Sequence, residues 1–211
     1  RESFEQQVEE ILESAERYKA DETWKMGLET EYGLVDDNLR PVENEVRDAL
    51  ISNLDFADVE VGGSQVEIRT EPLEPKTLSE LEKHLNSNES ELAKEAERHG
   101  LNLVRSGTNP FVDTGDIPIS SEEKYQEVPS FYDESRHDRV QESFGGRDSI
   151  DPRDSDLAAL INSTQVNVQA EGLQDAVDKA NLTYMISPFL SAISGNARFV
   201  EGKDLGFSDV R

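Results

Sequence analysis

The sequence predicts an α+β fold in which an antiparallel or mixed sheet is covered by helices on one side. Stretches with helical and with strand periodicity are interspersed along the 211 residues. Several strands also alternate apolar with polar side chains, as expected when only one face of a sheet is buried. A chain of this length can bury a substantial core, either as one large domain or as two small ones.

The first third of the chain contains the clearest change of periodicity. Apolar residues recur at helical spacing up to residue 20, and the pattern changes to period two at Trp24. The elements predicted in this part are a helix over 3–20, a strand over 24–35, a helix over 46–54, and strands over 59–61 and 65–71.

A long helix is predicted next, over residues 77–99. Thr77 and Glu80 form a T-x-x-E capping box at its start, and Gly100 ends it. A strand over 101–106 follows.

The last predicted elements surround a charged segment. Ser120 and Glu123 offer a second capping box, which predicts a helix around Tyr125. Residues 130–158 are predicted to form a mobile loop around helical pieces. A strand over 163–170 precedes a helix over 172–193 that has the composition of a buried helix, and Pro188 predicts a kink or a break in it.

Charge and composition narrow the class of function. Lys and Arg number 21 against 46 Asp and Glu, which gives a formal net charge of -25. This surplus of acid would repel phosphates, so we expect no nucleic-acid partner. It is typical of proteins adapted to a very salty cytoplasm. The chain has no cysteine, so we expect no thiolate metal site. It also has no apolar run of about 18 residues, so we expect no membrane span and a cytoplasmic location.

Three of the predicted strands carry one polar face each. Successive side chains of a strand point to opposite sides, so every second residue shares a face. The polar faces consist of carboxylates and amides rather than the Lys and Thr of an ordinary solvated strand: Gly27, Glu29 and Glu31; Gln65, Glu67, Arg69 and Glu71; and Gln165, Asn167 and Gln169.

Glu29 and Glu31 form a candidate metal site. Their carboxylates, at positions i and i+2, lie about 7 Å apart on one side of the sheet and repel each other unless a cation lies between them. Together with Glu67 on a second strand, they offer the all-oxygen ligands that Mg²⁺ prefers beside a nucleotide triphosphate. Such pairs also arise by chance in an acidic protein, so the spacing alone leaves both interpretations open.

Four stretches resemble, in order, motifs of the glutamate–cysteine ligase type 2 family of carboxylate–amine ligases. GLETEYGLV resembles the family's G-x-E-x-E-F strand, and VEIRTEPLEPKTLSELEKHL resembles its second glutamate strand and the following helix. STQVNVQA is similar to the Q-V-N-x strand of plant-type members. PFLSAISGNARFVEGKDLGFSDVR resembles the segment that ends in S-x-R. The resemblance extends from Trp24 to Arg211.

The resemblance implies a catalytic domain like that of glutamine synthetase. Such a domain has a curved, mainly antiparallel sheet with helices on its outer face, and its concave face holds ATP, Mg²⁺ and glutamate. The implied reaction begins with attack of the glutamate γ-carboxylate on the γ-phosphate of ATP. An amine, usually that of cysteine, then captures the acyl phosphate.

The resemblance also implies roles for particular residues. Glu29, Glu31 and Glu67 match the metal-binding glutamates, and Glu29 and Glu67 with Arg211 are the expected catalytic residues. Gln165 and Asn167 match positions that line the ATP and glutamate site. Lys124 and Tyr125 occupy the position of an R-Y pair. Arg211 matches an arginine whose bidentate fork suits a substrate carboxylate or phosphate.

Some positions depart from the family pattern. Lys124 replaces the arginine of the R-Y pair, Arg198 stands where many members have proline, and Arg69 and Glu71 are bulkier than the small residues often found at their positions. These departures leave the amine acceptor open.

We interpret residues 1–211 as a single ligase domain that is incomplete at its C-terminus, because family members usually continue past the S-x-R arginine. A downstream segment, in the same chain or as a second chain, is expected to complete the site. Residues 130–158 are expected to act as a lid that shields the acyl phosphate from water. Two other hypotheses remain: a non-catalytic relative that binds a nucleotide or amino acid and regulates a partner, and a metal-dependent hydrolase.

Overall fold

A computed structural model describes residues 4–17, 24–74, 78–128, 155–204, 206 and 209. The helices are α1 (Phe4–Arg17), α2 (Asn44–Ile51), α3 (Leu78–Arg98), α4 (Glu123–Gln126) and α5 (Leu173–Ser194), with 3₁₀ turns at Thr114–Asp116 and Ser155–Leu160. The strands are β1 (Met26–Val35), β2 (Ala57–Val59), β3 (Gln65–Arg69), β4 (Asn102–Val104), β5 (Thr164–Val168), β6 (Phe199–Val200) and β7 (Lys203–Asp204).

The main sheet is open and antiparallel, and β1 lies at its centre. β2 pairs with β3, and β3 pairs with one edge of β1. Two strands share the other edge of β1: β5 pairs with its first half and β4 with its last three residues. All these pairings are antiparallel. The predicted α+β class is therefore confirmed.

The apolar face of the sheet packs against α2 and α3. Tyr32 and Leu34 of β1 and Val66 and Ile68 of β3 are buried on this face. They form one cluster with residues from the helices and the chain around them: Val42, Leu50, Leu54, Leu92, Ala96 and Leu101. Helices thus cover one face of the sheet, as the alternating pattern of the strands predicts.

A smaller core lies on the other face, at the end of β1. Val35 is on the same side of β1 as Glu31, because side chains alternate. It packs with the last residue of β4 and with residues of the segments that follow β4, precede β5 and form β6: Val104, Val112, Ile117, Ala159, Leu160 and Val200. This core closes one end of the polar face.

The long helix α3 ends as its sequence predicts. Gly100 has a φ of 69°, which a glycine adopts without strain. The Gly100 amide donates to the carbonyl of Glu97, and the Leu101 amide donates to that of Ala96. These two bonds form a Schellman motif. The predicted capping residue Thr77 lies outside the described residues.

The second predicted capping box is wrong. The cap position of α4 is Glu122, and no side chain caps the helix. The Ser120 side chain is instead buried, and its hydroxyl accepts a long hydrogen bond of 3.5 Å from Arg47. The Ser120 hydroxyl thus bonds to the buried guanidinium of Arg47 and does not cap the start of α4, although the local motif predicts that it would.

The prediction that α5 is buried is also wrong for the part of the chain that the structure describes. The helix runs without a break through Pro188, and none of its residues is buried. Its composition is that of a core helix, but α2 and α3 already cover the sheet over β1 and β3. None of the described helices combines the length and apolar character needed to cross a membrane.

Candidate active site

The strand register places the polar side chains of three strands on one face of the sheet. Glu31 of β1 is directly opposite Glu67 of β3, and Glu29 is opposite both Arg69 and Gln165. Gly27 is opposite Asn167 of β5. Residues directly opposite each other in an antiparallel pair point to the same side. The three predicted polar faces therefore form a single surface.

Three carboxylates of this surface lie close together. One oxygen each from Glu31, Glu60 and Glu67 lies within 4.8 Å of the others. Glu60, which follows β2, was not among the predicted ligands. A signal for it does exist in the sequence, because Glu60 stands between Val59 and Val61 and so points to the face opposite two apolar neighbours.

Glu31 is held in place by β5 and the residue before it. Its carboxylate accepts hydrogen bonds from the Ser163 amide at 2.8 Å and from the Ser163 hydroxyl at 2.9 Å. The Gln165 side-chain amide donates to the same carboxylate at 3.1 Å. Gln165 thus belongs to the carboxylate cluster through its bond to Glu31. The three hydrogen bonds orient the Glu31 side chain, which is almost fully buried.

Glu60 is held by its own backbone neighbour and by α4. Its carboxylate accepts a hydrogen bond from the Val61 amide at 3.1 Å, and the Tyr125 hydroxyl lies 3.3 Å from its other oxygen. The Lys124 ammonium lies 4.6 Å from the centre of the Tyr125 ring. The predicted Lys124–Tyr125 pair therefore adjoins the cluster through Glu60.

Glu67 carries the electrostatic cost of the cluster. Burial and, in decreasing order, the neighbouring charges of Glu29, Glu60, Glu31 and Asp58 together raise its pKa from 4.5 to about 7. Burial also raises the pKa of Glu60, and the neighbouring charge of Glu31 adds to this effect. Among the described residues, Glu67 has no hydrogen-bond or ion-pair partner that would offset this repulsion. A bound cation would do so.

The donor set of the cluster fits Mg²⁺. All three groups are carboxylates, and they come from three different segments of the sheet, so the fold and not local sequence brings them together. Hard oxygen ligands of this kind suit Mg²⁺, which binds through a few carboxylates and completes its shell with water or phosphate oxygens. Glu29, a predicted ligand, lies beside this set and contributes to the raised pKa of Glu67.

A cavity of about 460 Å³ lies beside Glu29 on the same surface. Its polar lining includes side chains of both charges and two amides: Lys25, Glu29, Arg69, Glu71, Asn167 and Gln169. Asn167 therefore faces this cavity, next to the carboxylate cluster. Arg69 is also paired with Asp58 at 2.8 Å. The cavity has the size and polarity for a small charged molecule.

The turn between β2 and β3 holds Glu60 and Glu67 in position. Arg47 is fully buried and donates to the Gly62 carbonyl at 3.1 Å and to the Asn44 side chain at 3.0 Å. The Gly62 amide donates to the Gln65 side chain at 2.7 Å. Gln65, although on the polar face, is therefore a structural residue of the turn.

Two predicted features lie wholly or mostly outside the described residues. Arg211, the predicted catalytic arginine, lies outside the described residues, and so do residues 130–154 of the predicted lid. The last four positions of that loop, 155–158, lie in the 3₁₀ turn before β5.

Comparison with known proteins gives a consistent result. The family model described as "Glutamate-cysteine ligase family 2" matches residues 25–211. A protein of Chloroflexus aurantiacus named "Putative glutamate--cysteine ligase 2" is 26% identical over 196 residues, which are 91% of this chain and 45% of that protein. "Putative glutamate--cysteine ligase 2-3" of Rubrobacter xylanophilus is 24% identical, with 92% and 49% covered.

Plant proteins also match. "Glutamate--cysteine ligase A, chloroplastic" of Oryza sativa subsp. indica is 24% identical over 216 residues, which cover 92% of this chain and 40% of the rice protein. The chain therefore spans less than half the length of these curated relatives.

Proposed function

Because this chain belongs to glutamate–cysteine ligase family 2, we propose that it forms part of an ATP- and Mg²⁺-dependent ligase. The ligase joins the γ-carboxylate of glutamate to an amine, and cysteine is the first candidate for that amine. ATP loses its terminal phosphate, and the products are a γ-glutamyl amide, ADP and phosphate.

The observation that carries this proposal is the carboxylate cluster of Glu31, Glu60 and Glu67. Three acidic groups within 4.8 Å of one another form no ion pair with a Lys or Arg among the described residues. Activation of a carboxylate by ATP requires a site that receives a highly charged triphosphate, and a bound Mg²⁺ supplies neutralisation of phosphate charge there. The cluster is suited to hold that ion.

The residues around the cluster have supporting roles in the proposal. Ser163 and Gln165 orient Glu31, and Tyr125 orients Glu60. Glu29 borders both the cluster and the adjoining cavity of about 460 Å³. Lys25 and Arg69 bring positive charge to that cavity, and Asn167 brings an amide, so it is suited to an amino acid that carries a carboxylate and an amine. No protein nucleophile is needed, because positioning and charge neutralisation suffice for phosphoryl transfer.

The chain alone is not expected to perform the reaction. The side chains of β5 are exposed on both faces, so Gln165 and Asn167 have no wall opposite them in the part of the chain that the structure describes. The match covers only 45% of the Chloroflexus aurantiacus relative. We therefore propose that further polypeptide completes the site, in the same chain or as a second one.

The test is a product assay in which each component is omitted in turn. The 211-residue chain, alone and together with the polypeptide encoded directly after it, is incubated with ATP, Mg²⁺, glutamate and cysteine. We expect γ-glutamyl product and phosphate release only with the added polypeptide, and only when glutamate is present. A Glu67→Gln chain serves as the control and should give neither.

Other results would support other functions. Phosphate release that needs neither glutamate nor an amine would indicate a hydrolase. Binding of Mg-ATP without release in any mixture would indicate a regulatory relative. Full synthesis by the 211 residues alone would contradict the proposed need for further polypeptide.

A further inference from the structure

From Ala180 onward, helix α5 has apolar side chains around its whole circumference, and they face solvent. No charged residue stands between Lys179 and Arg198, in a chain with a net charge of -25. Consecutive helical residues point about 100° apart. Tyr184, Met185 and Ile186 are all exposed and therefore cover three sides. The exposed large apolar residues of α5 are Leu173, Val177, Leu182, Tyr184, Met185, Ile186, Phe189, Leu190 and Ile193.

The outer face of β5 also carries exposed apolar residues. Val166 and Val168 are exposed there, opposite Leu28 and Met26 of β1. Beside them, a cavity of about 610 Å³ lies between α3, the outer face of β1 and β5, and the C-terminal end of α5. We call the exposed apolar residues of α5, together with Val166 and Val168, the α5–β5 surface.

We propose that the α5–β5 surface binds the polypeptide that corresponds to the part of the relatives which this chain does not match, and that α5 becomes a core helix when this polypeptide is bound. The chain matches 45% of the Chloroflexus aurantiacus protein and 40% of the rice protein, so more than half of each relative has no counterpart in it. This inference rests on the family relationship and on exposed apolar area, and on no catalytic step.

The all-round apolar character of α5 decides between the possible occupants. A helix that is apolar on every side is typical of one surrounded by protein. Contact with a second copy would cover only one stripe, and it would bring two chains of charge -25 together. A helix at a membrane surface keeps a polar face toward water, which α5 lacks beyond its first turns. Helix α1 already contacts α5 and still leaves these residues exposed.

Cysteine accessibility tests the proposal directly, because the chain contains no cysteine. Phe189→Cys and Ile193→Cys place single thiols on α5 where the native side chains are 72% and 82% exposed. Glu97→Cys is the control, on the exposed polar side of α3, whose apolar side is already covered by the sheet. The rate of alkylation by iodoacetamide is measured for each variant alone and with the polypeptide encoded directly after this chain, supplied in the same chain or separately.

The expected result is that the polypeptide slows alkylation at both α5 positions at least about tenfold and leaves the control position within about twofold. Protection that appears when the chain alone is concentrated would indicate a second copy and overturn the proposal. Protection by phosphatidylcholine vesicles would indicate a membrane and also overturn it. Equal rates in every mixture, or no coding sequence for such a polypeptide, would overturn it too.

Charged substitutions on α5 provide a second test, which measures stability and binding separately and does not require ligase activity. Phe189→Asp and Ile193→Asp should leave the thermal midpoint of the isolated chain unchanged, because both native side chains are exposed there. Each should reduce co-purification with a tagged form of the polypeptide at least about tenfold. A lowered midpoint in the isolated chain would show that α5 is already packed and would contradict the proposal. Because the readout is binding, a missing ligase activity would not affect it.

Discussion

Glu31 and Glu67 are directly opposite each other in β1 and β3, and one oxygen of each lies within 4.8 Å of the other and of a Glu60 oxygen. Like charges at this distance disfavour ionisation of one another. Charge repulsion in the cluster therefore destabilises the folded protein, and binding of either a proton or a cation removes this repulsion. Both kinds of binding have measurable consequences.

Replacement of Glu67 by Gln is expected to increase the free energy of unfolding at pH 8 and to change it little at pH 5. Burial and the neighbouring carboxylates raise the pKa of Glu67 from 4.5 to about 7 in the folded protein. Below pH 4.5 the group is protonated in both states. As the pH rises toward 7, the unfolded chain loses this proton more readily, so the native protein loses stability, and the loss is complete above pH 7.

Urea denaturation in the presence of EDTA, at constant ionic strength between pH 5 and 8, checks this expectation. Glu97→Gln on the exposed side of α3 is the matched control and should show a small difference at every pH, because solvent screens its charge. A stabilisation by Glu67→Gln that does not grow with pH would contradict the assigned cause.

Removal of Glu60 should weaken Mg²⁺ binding as much as removal of Glu67. Glu60→Gln and Glu67→Gln each delete one carboxylate of the cluster, and a loss of at least about tenfold is expected. Calorimetric titration of Mg²⁺ into each variant measures it, with Glu97→Gln as control. If Glu29→Gln weakens binding and Glu60→Gln does not, the ligand set is Glu29, Glu31 and Glu67, as the sequence predicts.

Glu29→Gln and Glu67→Gln are each expected to abolish turnover of the complete enzyme and to leave the fold intact. Glu29 borders the cluster and the adjoining cavity, and Glu67 lies within the cluster. Product formation and circular dichroism of each variant check the two parts of this prediction. Normal activity in either variant would contradict the role assigned to that residue.

Gly62→Ala should destabilise the turn that joins Glu60 to β3. A Cβ atom at this position would lie 2.6 Å from the Ala159 carbonyl oxygen and 2.7 Å from the Gln65 side chain. Overpacking of this kind costs about 1–3 kcal/mol. Thermal denaturation measures the loss, and Gly115→Ala, where a Cβ would meet nothing within 4 Å, should cost much less. Similar effects of the two substitutions would show that the turn can adjust.

Arg47→Met should also destabilise the protein, by about 2 kcal/mol or more. The substitution removes the hydrogen bonds that the buried guanidinium donates to the Gly62 carbonyl and to the Asn44 side chain, and hydrogen bonds of a charged group typically contribute about 1.5–3 kcal/mol each. Arg98→Met is the control, because Arg98 is 72% exposed and forms only a surface ion pair with Glu95. Equal midpoints for the two variants in urea denaturation would contradict the anchoring role of Arg47.

Local sequence was sufficient to identify the strands β1, β3 and β5 with their polar faces, and the long helix α3. The period-two alternation in β1, β3 and β5 assigns Glu29, Glu31, Glu67, Gln165 and Asn167 to polar strand faces, because backbone geometry sends successive side chains to opposite sides. The same reasoning places Tyr32 and Ile68 in the core. Gly100 marks the end of α3, because few other residues adopt a positive φ without strain. Each of these conclusions depends on neighbours within a few positions of the chain.

The remaining features depend on contacts between distant segments. Glu60 joins Glu31 because β2, β3 and β1 pair side by side, and Ser120 bonds to Arg47 rather than capping α4 because a buried guanidinium lies 73 positions away in the chain. Apolar composition predicted a buried α5, yet burial requires a partner surface, and composition cannot say whether the chain supplies one. Register, burial and charge clustering are therefore properties of the assembled fold, because each is set by segments that meet only in three dimensions.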